Sequence, residues 1–162
     1  MWSSDRRAVI LGALALAACG FTPAYGPGGG AAELRGRIAL APPGDKQAFD
    51  LTVRLEDRLG AASAPLYLLN YGISSSITGV AITPDGALTR YNLTKRVAWS
   101  LVDAATGAER LSGVEDSFTS FSATGSTVAR LAAEQDAEAR LMVILADLIV
   151  TRLIAAAPQL SP

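Results

Sequence analysis

Residues 128–157 contain neither proline nor glycine and are dense in alanine, leucine, glutamate and arginine, so the sequence predicts one long helix there. The hydroxyls between Ser122 and Thr127 can cap its start. At 1.5 Å per residue such a helix is ~45 Å long, and it can bury its apolar side only against a partner of similar length. That partner is in the chain. Arg90 to Asp103 alternates, with Tyr91, Leu93, Val97, Trp99 and Leu101 on one parity and Arg90, Asn92, Thr94, Arg96 and Ser100 on the other, the period of a strand. Strands of ~10 to 14 residues span ~33–46 Å, so a long helix lying along a long sheet is the expected architecture.

The remaining elements fill in that plan. Pro65 to Thr83 places Tyr67, Leu69, Tyr71, Ile73 and Ile77 on one parity, and Pro84-Asp85-Gly86 turns the chain into the strand just described. Ala104 to Gly107 closes a hairpin, after which Ala108 to Phe121 returns with Val114 and Phe118 as the expected inward positions. Upstream, Leu34 to Leu40 alternates as a strand that Pro42-Pro43 ends. Asp45 caps a helix carrying Ala48, Leu51, Leu55 and Leu59 at three- and four-residue spacing, and Gly60 stops it. A strand–helix–strand passage implies a crossover, so the first two strands are expected to be parallel. The fold class expected is α+β: a two-layer sandwich with a four-stranded mixed sheet packed by two helices, in the order β-α-β-β-β-α. Leu141 to Ile154 is apolar on more than one side, but Asp147 and Arg152 interrupt it and the run is short for a bilayer, so it reads as core.

The amino-terminal segment has a different character. Arg6 and Arg7 precede a short apolar run, Val9 to Ala18, that ends in small residues before Cys19, which is the build of a secretory leader rather than of a membrane span. Leu16-Ala17-Ala18-Cys19 resembles the lipobox of bacterial lipoproteins, so Cys19 is expected to be the lipidated first residue of the mature chain. As the chain's one cysteine it has no partner for an internal disulfide. Export by the general or the twin-arginine route is left open, because Ala8-Val9-Ile10 after the arginine pair lacks the phenylalanine–leucine pair of the twin-arginine signal. Residues 20–32 are rich in glycine and proline and read as a tether. The expected organisation is a leader over 1–18, a lipid-anchored tether over 19–32 and one globular α+β domain over 33–158.

Composition removes most catalytic classes. The chain has no histidine and one cysteine, so the usual general base and the nitrogen and thiolate ligands of zinc or copper are missing. No catalytic residue, metal or cofactor is expected. Asp50, Glu56 and Asp57 fall in a helical pattern with Arg54 and Arg58, as a solvated face does. With 14 basic and 15 acidic residues the chain has no electrostatic footprint for nucleic acid.

The densest basic group outside the leader is Arg90, Lys95 and Arg96, and Lys95 falls on the apolar parity of its strand. That placement signals a bulge, a strand end beyond the core or a functional exception.

The order of leader, lipid cysteine, glycine tether, strand, helix, three-strand meander and long final helix resembles the LPS-assembly lipoprotein family, LptE. Cys19-Gly20-Phe21-Thr22-Pro23-Ala24-Tyr25-Gly26 is similar to the family's signature after cleavage, and Ala132-Ala133-Glu134-Gln135-Asp136-Ala137-Glu138-Ala139-Arg140-Leu141 is similar to the opening of its last helix. The resemblance implies a non-enzymatic lipoprotein of the outer membrane that plugs and supports the β-barrel LptD in lipopolysaccharide transport. Its globular domain would sit on the periplasmic side or in the barrel lumen. Many small polar residues, among them Ser74, Ser75, Ser76 and Thr78, suit the polar interior of a barrel. Lipopolysaccharide carries phosphates, so Arg90, Lys95 and Arg96 become the candidate contact residues. Two rivals stay open: an envelope lipoprotein that carries a lipid or other apolar ligand in a cavity, and an envelope enzyme that pairs Lys95 or Lys46 with a serine.

Overall fold

A computed structural model describes residue 26 and residues 29–84 and 86–160. The leader, Cys19 and most of the tether lie outside them. The described chain runs through α1 (Gly30–Leu34), β1 (Ile38–Leu40), α2 (Lys46–Leu59), β2 (Tyr67–Ile82), β3 (Leu88–Asp103), β4 (Glu109–Ser122) and α3 (Thr127–Leu160). The strands form one mixed sheet in the order β1-β2-β3-β4, with β1 parallel to β2 and the other pairs antiparallel. The α+β sandwich read from the sequence is therefore the observed fold.

The first segment departs from expectation. Residues 30–34 are not tether and strand but a short helix, and the strand shrinks to Ile38–Leu40. Ala31 and Leu34 are buried. A Cβ on Gly30 would lie 2.7 Å from the Ala157 Cβ and 2.8 Å from the Ile154 carbonyl oxygen, so only a glycine lets the chain pass this close to α3. The segment Gly30–Leu34 thus lies at the end of the sandwich where α3 finishes, and Tyr67 Oη closes that end by donating to the Leu160 carbonyl.

The helix α2 starts where Asp45 accepts a bond from the Ala48 N–H at 2.7 Å, and it stops at Gly60, whose φ of +78° a side chain would resist. Leu51, Leu55 and Leu59 face the sheet as the spacing predicts. Arg54 does not belong to a solvated face: it forks onto Asp147 of α3 at 3.1 and 2.9 Å, with Arg58 at 3.7 Å from the same carboxylate. The helix α3, read alone, is long and apolar enough to cross a membrane, contrary to the expectation drawn from its shorter apolar run. In the fold one side of it is the main wall of the core, where Leu141, Met142, Leu145, Ala146, Ile149 and Leu153 have no solvent exposure.

The strand β4 corrects a second expectation. Val114 and Phe118 point outward and are 49% and 66% exposed, while Phe121 and the residues of its parity face the helices. The register explains this. Gly113 lies opposite Trp99, and a Cβ there would sit 2.8 Å from the indole ring, so the buried tryptophan requires glycine on the inner parity of β4. Both parities of β4 carry apolar residues, and the bulky neighbour on β3 decides between them.

The β3–β4 turn is held by Asp103, which accepts the Ala105 and Thr106 N–H groups at 3.0 Å each and the Arg110 guanidinium at 2.9 Å. The guanidinium first, and then the backbone donors, hold its carboxyl at about 2, below the ordinary 3.8. A depressed folded pKa stabilises above the unfolded value and ceases to do so as pH falls through the folded one. The turn is therefore expected to stay closed down to pH near 4 and to loosen between about 4 and 2. Arg110→Ala should raise the Asp103 titration midpoint in a carbon-detected NMR titration, and an unmoved midpoint would contradict the assignment.

Candidate functional site

Three cations singled out by the sequence share β3, and the pleat divides them. Odd residues of β3 face the helices and even ones face away, so Lys95 points inward while Arg90 and Arg96 are exposed on the opposite, uncovered face. Lys95 has no solvent exposure. Its ammonium donates to Gln47 Oε1 at 2.6 Å and to Glu138 Oε1 at 3.0 Å, and Gln47 Nε2 donates to the same Glu138 oxygen at 2.8 Å. One triad therefore ties β3, α2 and α3 together. Among the alternatives open for Lys95, strand bulge and strand end both fail, because β3 keeps its register with β2 and β4 on either side of it.

This geometry withdraws Lys95 from the candidate lipopolysaccharide contact. A lipid phosphate cannot reach an ammonium enclosed between two helices and a sheet unless the layers part. The exposed cations left from the group are Arg90, near the β2–β3 hairpin, and Arg96, whose cross-strand neighbours are Ser74 and Asp116. Arg96 also lines a surface groove of about 260 Å3 with Ser74, Ser76 and Thr94. Gln47 did not stand out in the sequence, and Glu138 entered only within the stretch that is similar to the opening of the family's last helix. The one available signal was a charge on an apolar parity, which requires burial with a partner of opposite charge.

Neither lysine considered for catalysis is paired with a serine. Lys46 is exposed and bonded to Asp50 at 2.6 Å, and Lys95 meets an amide and a carboxylate rather than a serine. Among the described residues no group of three His, Cys, Asp or Glu is placed to hold a metal ion. The space between the layers, where a lipid carrier needs a cavity, is filled by fully buried Leu51, Leu55, Leu69, Leu93 and Leu141.

Several solved structures share this fold. A putative lipoprotein from Caulobacter crescentus is similar at 22% identity and a TM-score of 0.67, covering 80% of this chain and 96% of its own. The rare lipoprotein B from Shewanella oneidensis is similar at 14% identity and a TM-score of 0.58, over 76% and 96%. A minor lipoprotein from Acinetobacter baumannii is similar at 18% identity and a TM-score of 0.55, over 74% and 89%. At these identities the likeness establishes the fold. A comparison with curated proteins finds no match. The sequence of the lipopolysaccharide-assembly family LptE matches residues 36–153, which takes in every strand, α2 and most of α3, and the chain accordingly belongs to the LptE family of lipopolysaccharide-assembly lipoproteins.

Proposed function

We propose that this chain is an outer-membrane lipoprotein, anchored by lipid on Cys19, that plugs and supports assembly of the β-barrel LptD and acts without catalysis in moving lipopolysaccharide to the cell surface. Family membership over residues 36–153 carries the reading. A filled interior favours it over a carrier, since a plug needs a rigid body rather than a cavity. Arg90 and Arg96 are the cations that remain for phosphate contact, as exposed guanidiniums that can bond phosphate oxygens in pairs.

The deciding experiment is purification of the tagged full chain from detergent-solubilised outer membrane with mass identification of what accompanies it. A large β-barrel in equal ratio is expected, and its absence would sink the reading. In the same fractions Cys19→Ser should leave the membrane pellet, because acyl chains that each bury about 0.8 kcal/mol per CH2 are no longer attached. Unchanged retention of that variant would refute the anchor.

Reversal of the two exposed cations, Arg90→Glu with Arg96→Glu, should weaken lipopolysaccharide capture by the purified protein by ~10-fold or more at low salt, and less as salt screens the contact. Capture equal to that of the unaltered protein would remove the direct contact and leave the plug.

A further inference from the structure

The sheet ends in two edges, and they are built differently. The edge strand β4 carries Glu109, Arg110, Glu115 and Asp116 along its length, and ionised side chains at an edge discourage pairing with a further strand. At the other edge β1 covers only Tyr67–Leu69 of β2. From Asn70 to Ile82 no strand lies beside β2 on that side among the described residues, and this stretch contains no ionised side chain and no proline. A long uncharged edge is a template for another strand.

The bonds to β1 fix which backbone groups are left open. Tyr67 N–H donates to the Arg37 carbonyl and Ala41 N–H donates to the Leu69 carbonyl, so the odd residues of β2 aim both backbone groups at this edge. Pairing with β3 is unbroken as far as Gly79, so Tyr71, Ile73, Ser75 and Ile77 aim theirs the same way. Beyond Gly79 the register shifts, which ends the regular edge. The sequence inside it, Ile73-Ser74-Ser75-Ser76-Ile77, reads the same in both directions. An antiparallel copy of β2 laid along the edge with Ser75 opposite Ser75 therefore matches Ile73 with Ile77 and Ser74 with Ser76 on both sides of a two-fold axis. In that register the open groups meet: Ser75 with Ser75, and Ile73 with Ile77, become hydrogen-bonded pairs. A slip by one residue would set open groups against groups already bonded to β3.

The helix α2 supplies a roof for such a strand. Gln47 and Arg54 reach across to α3, and Thr52 Oγ1 meets Tyr71 Oη on the sheet at 2.9 Å, so the helical turn puts Phe49 on the side of α2 away from α3, toward the open edge. Gln47 is level with Lys95, whose neighbour on β2 is Ser75, and Thr52 is level with Tyr71, which leaves Phe49 level with Ile73. Phe49 is 54% exposed and Ile77, on the helix side of β2, is 48% exposed. With β2 paired to its copy, Ile77 of the second copy lies beside Ile73 and under Phe49, so the two exposed apolar side chains cover each other. We infer that two copies of this chain pair through β2, antiparallel about Ser75, into one continuous sheet. The pair goes beyond the plug reading and does not depend on it, being a state of the chain outside the one-to-one barrel complex proposed above.

Cysteine pairing in the full chain, purified in detergent without a barrel, tests this. Ser75→Cys sets two thiols on residues whose Cα atoms are about 5.5 Å apart across the axis, within disulfide reach. Mild oxidation is expected to give at least ~10-fold more covalent dimer than from Ser112→Cys on the charged β4 edge, or from the unaltered chain, whose one thiol is at Cys19. Ser74→Cys mixed with a differently tagged Ser76→Cys should cross-link to each other in preference to themselves, since only that combination is directly opposed. Ile77→Lys, at an exposed position, should leave the melting temperature within a few degrees yet cut the Ser75→Cys dimer by ~10-fold or more, whereas Phe118→Lys, exposed on β4, should leave the dimer unchanged. A Ser75→Cys dimer no more abundant than that from Ser112→Cys, or undiminished by Ile77→Lys, would overturn the pairing. So would disulfides from Ser75→Cys to another protein in place of the dimer. Because no barrel is present, the result is separate from the fate of the plug reading.

Discussion

Trp99→Ala is expected to lower the unfolding free energy by about 3–5 kcal/mol, the range for removing a large aromatic side chain from a packed core. Trp99 is 3% exposed, lies between Val97 and Leu101 on the inner parity of β3, and has Gly113 opposite it to receive the ring. No side chain can slide into the space from Gly113, so the void stays open. A loss of this size is a large part of the stability of a domain of this length and should be visible as an early urea midpoint. The indole N–H has no hydrogen-bond partner among the described residues. Trp99→Phe should accordingly lose no bond and cost well under half as much, and a phenylalanine variant as damaged as the alanine one would contradict the packing account.

Glu138→Ala is expected to cost about 3 kcal/mol, because it leaves the Lys95 ammonium enclosed with Gln47 Oε1 as its remaining acceptor. The figure is set at the low end for a broken buried pair, since the Glu138 side chain is itself 26% exposed and water can reach that end of the bridge. Lys95→Met should be milder, replacing a buried charge with an apolar chain of similar reach. The double variant is the informative one. If the triad is held as described, Lys95→Met combined with Glu138→Ala should lose clearly less than the sum of the single losses, by about 1–3 kcal/mol of coupling. Additive losses in chemical denaturation would mean that the two residues do not share an interaction.

These expectations separate cleanly into what was legible in the residues and what was not. The length of α3, the alternation of β3, the capping of α2 by Asp45 and the three-strand meander could be read directly, because each follows from a local period or a turn residue. The short helix at Gly30–Leu34 could not, since five residues rich in glycine and alanine are ordered only by the surface of α3 against which they pack. The orientation of β4 was equally hidden. Val114 and Phe118 are as apolar as Leu111 and Phe121, and the choice was made by an indole ring on the neighbouring strand.

Lys95 marks the boundary between the two kinds of information. Its place on an apolar parity was plain in the sequence, and by the physics of burial that alone demanded an explanation. The explanation lies in Gln47 and Glu138, which are 91 residues apart in the chain and meet where α2 and α3 pack side by side over β3. Periodicity reports which side of an element is buried, because it depends on the element's own geometry. Which residues meet inside depends on how separate elements are docked, and only the tertiary structure carries that: here it turned one candidate contact for phosphate into an internal ion pair and left the other two, Arg90 and Arg96, on the outer face.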